Sequence, residues 1–487
     1  MDINKLLLNH GISKVNLSNN GNTSTSPITN FTATNGDGGV VLSWANPTDA
    51  NFYGVRIQRK LGSYPTSHTD GTTVFSGVAT TFTDTGVTQD EVYYYRAFTY
   101  TASYIFNNNV SQQVTITAKT SLIYTVIIDT TNSNPETSVT YADDAIGMTA
   151  GSSNWDSIYP FNEIKPVLFK NGAVVSYLNP NNFTQTTSNV SVDITSGNAG
   201  DVMIQFPKVY MYTRKVGNLI YVSLSQTKVN ANYKCFAHTK LGVERDFSYI
   251  GAYLGSLFDW DSSGVLYSIS GKIPDSYETI ADYRYWAENK GVGYQLISYY
   301  QLLMIQVLYL IKYKNLNSQA AIGQGYVGGT TKKASGSADL QGMTYGTQSN
   351  LVNMKLFGIE DLWGNLYSWI DGIVLKDNNT IAIGDGNYND FGIDYTEYAV
   401  TSGLEGYITS VMGGNETAFI TSGVSGSSST YFCDRGAVLT QEAEGLIGAA
   451  NIGGDYDNGG QCGIFAIEIG DPYTSIFDEV GTRLAYL

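Results

Sequence analysis

Apolar residues alternate with polar ones along three runs in the N-terminal quarter of the chain. The runs are Val40, Leu42 and Trp44; Tyr53, Val55 and Ile57; and Tyr93, Tyr95 and Ala97. Because successive side chains of a strand point to opposite faces, this alternation predicts strands with these residues directed inward. Turn-forming residues at 35–39 and 46–49 separate the runs. The pattern therefore predicts a β-sandwich over residues 27–120.

Beyond residue 121 the pattern changes to strands mixed with one long helix. Residues 124–128, 202–206 and 219–225 are rich in apolar residues, which predicts strands. Residues 299–313 carry apolar side chains on more than one side, which predicts a broadly buried helix with Ser298 as its N-cap. The Gly-rich residues 323–329 and the Ser- and Gly-containing residues 334–338 predict surface loops. Together these features favour an α+β region.

The uncharged stretch 292–311 is close in length to a bilayer span. Gln295, Ser298, Gln301 and Gln306 recur along it, and such polar groups are costly to leave unsatisfied in lipid. We therefore expect an aromatic-rich helix inside a large folded domain and no membrane insertion. The leucine run at residues 6–8 is shorter than the hydrophobic region of a signal peptide, so no secretion signal is expected.

Composition narrows the classes of partner and chemistry. The 27 basic and 43 acidic residues give a net charge of −16, which disfavours nucleic acid as a partner. Only three Cys and three His occur, widely spaced, so neither a disulfide framework nor a zinc site is expected. The turns contain neither a dinucleotide fingerprint nor a phosphate-binding loop. We therefore expect no cofactor and no metal.

The sequence predicts a multidomain, β-rich protein in four segments. Residues 1–26 combine a small apolar patch with a polar tract, which predicts an anchor peptide and linker. Residues 27–120 form the predicted sandwich. Residues 121–282 are a β-rich intermediate region that either precedes the C-terminal head or is integrated with it. Residues 283–487 form the α+β head.

The first predicted domain carries three features in a recognisable order. These are Trp44 on the second strand, the segment FTDTGV at residues 82–87 and the aromatic run at residues 93–97. With these features the segment resembles a fibronectin type III domain. The resemblance implies that Tyr93 is the tyrosine-corner residue and that the domain is a rigid spacer or adhesion module without chemistry of its own.

Four short motifs follow one another in the C-terminal half. They are GYQLIS at 293–298, GIEDLWGNLYSW at 358–369, GGDY at 453–456 and GTRLA at 481–485. In this order, over residues 283–487, they resemble the C-type-lectin-like fold of the formylglycine-generating enzyme superfamily, which includes receptor-binding tropism determinants of phages. Residues 132–206 look similar to the front half of phage tail or fibre adhesins with that fold. Glycine and tryptophan in the central motif favour a structural role for it.

The resemblance implies a virion-surface fibre or spike protein of a bacteriophage, made in the host cytoplasm. Residues 1–26 would attach it to a capsid or tail protein, and fibres of this kind are usually homotrimers. Its head would adhere to a host-surface glycan or protein, with weak single sites strengthened by multivalency. A purely structural decoration of the capsid or tail is the first alternative.

In the phage branch of that fold, the stretch corresponding to residues 455–480 is displayed for binding. The resemblance therefore implies ligand-binding roles for aromatic and short polar side chains in that stretch. The candidates are Tyr456, Asp457, Asn458, Gln461, Asp471, Tyr473 and Thr474.

An enzyme, either a formylglycine-generating-like oxidase or a glycan hydrolase, is the second alternative, but we expect no catalytic residues. Formylglycine-generating enzymes use two nearby cysteines that lie late in the chain, between the motifs that correspond to GGDY and GTRLA. Here only Cys462 lies between those two motifs, and Cys433 precedes both. A glycan hydrolase needs only two suitably spaced carboxyl groups, which Asp455 and Asp457 could provide. Acidic clusters are common in a chain of this charge, so solvated loops are favoured over a hydrolase pair.

Overall fold

A computed structural model describes residues 25–36, 38–108, 112–257, 264–441 and 447–487. The chain divides into two compact units between Leu122 and Ile123. Both units are rich in β-structure, which confirms the predicted multidomain, β-rich fold class. Apart from its last two residues, the predicted anchor peptide at 1–26 lies outside the described residues.

The described part of the first unit is a sandwich of seven antiparallel strands. They are β1 (Thr29–Gly36), β2 (Gly39–Ala45), β3 (Gly54–Leu61), β4 (Thr72–Gly77), β5 (Thr81–Asp84), β6 (Val92–Tyr100) and β7 (Gln112–Thr117). One sheet has the order β1-β2-β5 and the other has the order β4-β3-β6-β7. The inner faces enclose a core of aromatic and aliphatic side chains that includes Trp44.

Alternation in the sequence predicted this core with one error. All the predicted inward residues except Tyr53 are buried. Tyr53 is 53% exposed because it precedes β3, where the inward alternation begins, and its ring packs against Tyr100 and Tyr104 instead. The Tyr93 hydroxyl accepts a hydrogen bond from the Thr88 backbone N–H at 3.1 Å, which is the kind of contact that a tyrosine-corner residue makes.

In the described residues of the second unit, many short strands are combined with three α-helices. Its first strands are β8 (Tyr124–Asp129), β9 (Val139–Asp143), β10 (Lys165–Lys170), β11 (Ala173–Asn179), β12 (Asn182–Thr186), β13 (Asp201–Pro207), β14 (Tyr210–Val216), β15 (Leu219–Ser225), β16 (Thr239–Lys240), β17 (Val243–Glu244) and β18 (Phe247–Gly251). Next come α1 (Ile280–Glu288), β19 (Tyr294–Leu296), α2 (Tyr299–Tyr313) and α3 (Ser318–Ala321). The predicted strands at 124–128, 202–206 and 219–225 lie within β8, β13 and β15.

The remaining strands belong to the C-terminal third. They are β20 (Lys355–Leu356), β21 (Ile359–Glu360), β22 (Tyr367–Asp377), β23 (Thr380–Ile383), β24 (Thr396–Ala399), β25 (Leu404–Val411), β26 (Thr421–Val424), β27 (Arg435–Val438), β28 (Gly448–Ile452), β29 (Ile467–Pro472), β30 (Val480–Thr482) and β31 (Leu484–Tyr486).

Three large sheets organise the second unit. The first has the order β12-β11-β10-β13-β18-β31-β19, and the second has the order β14-β15-β8-β9. The third has the order β24-β23-β22-β28-β29-β27-β25-β26, with β30 parallel to β22. Because β31 pairs with both β18 and β19, the segments 121–282 and 283–487 share the first sheet.

Helix α2 lies at the centre of the second unit, and fourteen of its fifteen residues are buried. Ser298 caps it through a reciprocal capping box with Gln301, as the sequence predicted for the cap. Its polar residues bind neighbouring elements: the Gln301 side-chain amide donates to Ser248 Oγ, and that of Gln306 donates to the Ile464 carbonyl oxygen, both at 2.9 Å. Among the described residues, no helix is long and apolar enough to cross a membrane.

The Gly-rich segments predicted as surface loops pack inward in part. Val327 is 1% exposed and Ala338 is fully buried, so the prediction of surface loops is wrong at these positions. A side chain at Gly364, whose φ is +78°, would place its Cβ 2.7 Å from the Tyr326 carbonyl oxygen. This close approach of two loops explains why glycine is needed there.

The last motif of the C-terminal half meets the central motif in the interior, and the first motif pairs with the last through β19 and β31. Buried Arg483 donates to the carbonyl oxygens of Glu360 and Asp361, at 2.7 and 3.0 Å. Asn365 donates to the Asp361 carboxylate at 2.8 Å. Burial lowers the pKa of Arg483 to about 10. These contacts hold backbone segments together and match the structural role predicted for the central motif.

Candidate functional site

Three of the seven predicted binding residues line one pocket of about 410 Å³. We call it the acid-lined pocket. Its walls are Tyr367, Glu405, Arg435, Asn451, Asp455, Asn458, Gln461, Glu468, Asp471, Phe477, Glu479 and Val480. The predicted residues among them are Asn458, Gln461 and Asp471. The structure therefore places part of the predicted set around one concave surface.

The other four predicted residues lie outside this lining. Tyr456 and Asp457 belong to the loop that carries Asn458, where the Tyr456 carbonyl oxygen accepts from the Gly329 N–H at 2.6 Å. Asp457 is exposed. The Tyr473 ring packs edge-on against Phe391, with 5.4 Å between centroids, and Thr474 is exposed. Tyr473 thus contributes to packing, and the structure does not bring it or Thr474 into the pocket.

Neighbouring strands of the third sheet supply the pocket's central residues. Strand β29 pairs in parallel with β27 and antiparallel with β28, so Arg435, Asn451 and Glu468 come from three adjacent strands. Glu468 and Asp471 are three positions apart and would point to opposite faces of a regular strand. A register shift at Gly470, whose φ is +132°, inserts an extra residue and lets both carboxyl groups line the pocket.

Among the described residues, five carboxyl groups and one guanidinium line the pocket. Arg435 binds Glu468 through Nη1 and Glu405 Oε1 through Nη2, the latter at 2.7 Å. Burial by itself would lower the pKa of Arg435, but hydrogen bonds and charge from Glu468 and Glu405 outweigh it and raise that pKa. The guanidinium is therefore fully charged and fixed between two carboxylates, which leaves the rest of the acidic lining without a comparable cation.

Two carboxyl groups of the pocket hold protons near neutral pH. Burial, followed by the charge of Asp457, raises the pKa of Asp455 to about 7. Burial, followed by the charge of Glu468, raises the pKa of Asp471 to about 7, although a hydrogen bond from Asn451 opposes this. Both groups can therefore act as donors or acceptors of hydrogen bonds at physiological pH.

The buried side chain of Asn451 has an unpaired acceptor. Its Nδ2 donates to Asp471 Oδ2 at 2.7 Å, whereas its Oδ1 has no hydrogen-bond partner among the residues that the structure describes. Asn451 is only 3% exposed, so this acceptor carries an uncompensated desolvation cost.

Much of the pocket was not predicted from the sequence. Tyr367 stood in the central motif and was assigned only a structural role, yet it also lines the pocket. Glu468 and Glu479 lie within the predicted 455–480 stretch but were not selected. Glu405 and Arg435 come from β25 and β27, and only the long-range strand pairing brings them here. No local pattern in the sequence predicts the pairing of β25 with β27.

The two cysteines considered for redox chemistry are buried free thiols. Burial raises the pKa of Cys433 to about 12 and that of Cys462 well above its ordinary value. The Cys462 thiol donates to the Asp455 carbonyl oxygen at 3.5 Å. Within the described ranges, no three His, Cys, Asp or Glu side chains are grouped so that they could hold a metal ion.

Comparison with known proteins does not assign the chain to a family. No protein-family model matches the chain, and no curated protein matches it significantly. What the site can do therefore follows from its own chemistry. Carboxyl groups, amides and the rings of Tyr367 and Phe477 together offer hydrogen-bond acceptors beside aromatic surfaces, which suits a ligand rich in hydroxyl or amino groups.

Proposed function

We propose that this chain is a non-catalytic adhesion protein whose acid-lined pocket binds a host-surface glycan or protein. The observation that carries the proposal is the lining of this pocket, where carboxyl groups and the amides of Asn451, Asn458 and Gln461 surround one concave surface. Acceptors grouped in this way favour a ligand with several hydrogen-bond donors. A glycan carries such donors as hydroxyl groups, and a protein carries them as amides and amines.

The wider proposal is a bacteriophage fibre or spike on the virion surface. It is supported by the four C-terminal motifs and by a preceding sandwich with fibronectin-like features. In this proposal the chain forms a homotrimer, and residues 1–26 attach it to a capsid or tail protein. Several copies on one particle would convert weak single-site binding into firm adhesion.

Binding of the full chain to a printed array of bacterial surface polysaccharides and outer-surface proteins tests the proposal. We expect saturable binding to at least one spot, weakened about tenfold in Gln461→Ala, since one lost polar contact is worth about 1.4 kcal/mol. Gln113→Ala, an exposed position on β7, is the matched control and should bind like the native chain. Absence of binding, or equal binding by both variants, would contradict the adhesion proposal.

Glycan hydrolysis is a second candidate because Asp455 and Asp471 both have pKa values near 7 in the same pocket. A protonated carboxyl group beside an ionised one is the requirement for acid-assisted cleavage of a glycosidic bond. Release of reducing ends from an array polysaccharide, abolished in Asp455→Asn, would select this candidate. Binding without such release selects adhesion. A purely structural decoration would show neither, and its loss would weaken the particle while adsorption to cells persisted.

A further inference from the structure

A second and larger cavity lies at the C-terminal end of α2, with a volume of about 830 Å³. None of its lining residues belongs to the acid-lined pocket. Its walls come from the turn at Phe161–Glu163, the end of α2 and the segment 341–346. We call it the aromatic cavity. Its size falls within the range of sites that hold small molecules.

Aromatic rings form one wall of the aromatic cavity. Phe161 and Phe357 lie with their centroids 5.8 Å apart, and Tyr313 lies 6.5 Å from Phe357. Phe161 and Phe357 are held in place by burial, while Tyr313 is half-buried. The buried rings support Tyr313, whose partly exposed ring can stack against the C–H face of a sugar with little loss of side-chain entropy.

Three amide side chains edge the same cavity. Asn162, Asn181 and Gln341 line it and are exposed. None of the three side-chain amides makes a hydrogen bond within the part of the chain that the structure covers. Each amide thus presents both a donor and an acceptor to a ligand, which is the pairing that neighbouring sugar hydroxyls require.

An ion pair also lines the aromatic cavity. Lys312 is 6% exposed, and its Nζ binds Asp156. The same Nζ lies 5.7 Å from the ring centroid of Phe161 and 5.9 Å from that of Phe357. Asp156 is more exposed, so Lys312 orients a carboxylate that keeps free lone pairs toward solvent. That carboxylate can accept hydrogen bonds from hydroxyl groups.

We propose that the aromatic cavity binds a neutral oligosaccharide. A neutral ligand leaves the Asp156–Lys312 ion pair intact, whereas an anionic one must compete with Asp156 for the buried ammonium group of Lys312. The net charge of −16 also repels anions at long range. The aromatic wall and the three free amides together match the apolar and polar faces of a sugar. This site does not depend on the acid-lined pocket or on its proposed function.

Saturation-transfer NMR on the full chain tests this proposal with four neutral trisaccharides: cellotriose, chitotriose, maltotriose and mannotriose. We expect at least one trisaccharide to bind with a dissociation constant of about 10 mM or below. Asn181→Ala and Gln341→Ala should each raise that constant about fivefold. Both positions are exposed, so neither substitution should disturb folding. Asn154→Ala, an exposed position near the cavity but not in its lining, is the matched control and should bind like the native chain.

Two results would overturn the proposal. One is that none of the four trisaccharides binds, or that trigalacturonate, the anionic comparison, binds in their place. The other is that a trisaccharide binds the native chain and both cavity variants equally. Gln461→Ala should leave trisaccharide binding unchanged, because Gln461 lines only the acid-lined pocket. The two sites can therefore fail or succeed separately.

Discussion

At the scale of single residues, Asp455 provides a direct test of the electrostatics of the acid-lined pocket. Its pKa is raised to about 7 by burial, so between about pH 4 and pH 7 the folded chain keeps a proton that the unfolded chain loses. Stability from this group is therefore fully present below about pH 4, declines as the pH rises from about 4 to 7, and is lost above pH 7. Asp455→Asn removes the penalty of ionisation, so it should stabilise the second unit by about 1 kcal/mol at pH 8 and have little effect at pH 4.

Urea unfolding followed by tryptophan fluorescence at pH 4 and pH 8 measures this difference. Asp246→Asn is the matched control, because that side chain is 84% exposed and should show no comparable gain at pH 8. A loss of stability in Asp455→Asn at pH 8 would contradict the interpretation of a costly buried charge.

The residue scale also shows which parts of the site could be predicted from the sequence. Strict alternation predicted burial of Val40, Val55 and Tyr95 because it depends only on neighbours in the chain. The shared direction of Glu468 and Asp471 depends on a bulge at Gly470, which forms only when β28 and β29 pair. A pattern of period two cannot reveal a register shift that the partner strand imposes.

At the scale of elements, helix α2 was predictable because its signals are local. The cap, the apolar pattern and the length all lie within residues 298–313. Ser298→Ala removes the side chain that accepts from the Gln301 N–H, and it should destabilise the second unit by about 1 kcal/mol. Ser298→Thr keeps an acceptor at the cap and serves as the control, with a smaller loss. Equal losses measured in urea for both variants would indicate that packing around Ser298, not capping, sets the cost.

The acid-lined pocket, unlike helix α2, depends on contacts between residues that are far apart in the sequence. It joins side chains from β25, β27, β28 and β29, and the parallel pairing of β27 with β29 crosses about 30 residues of chain. The resemblance to displayed loops pointed to the 455–480 stretch, but it did not identify the strands that complete the pocket. Prediction from sequence succeeded where the determining contacts are local and was incomplete where distant strands pair.

At the scale of the whole molecule, the division into two compact units predicts that a substitution in the core of one unit unfolds that unit alone. Leu484 is fully buried in β31, which lies between β18 and β19 in the first sheet of the second unit. Leu484→Asp buries an unpaired charge at that point, which should unfold the second unit. The first unit has its own aromatic core and should keep its fold.

Hydrogen exchange by mass spectrometry distinguishes the units in one experiment. In Leu484→Asp we expect loss of protection in β13, β18 and α2, and retained protection in β2, β3 and β6, because the latter strands take their hydrogen bonds from the sandwich alone. Val292→Asp introduces the same charge at a side chain that is 98% exposed, so both units should stay protected in this control. Loss of protection in β2 and β3 along with α2 would show that folding of the sandwich depends on the second unit and would refute independent folding.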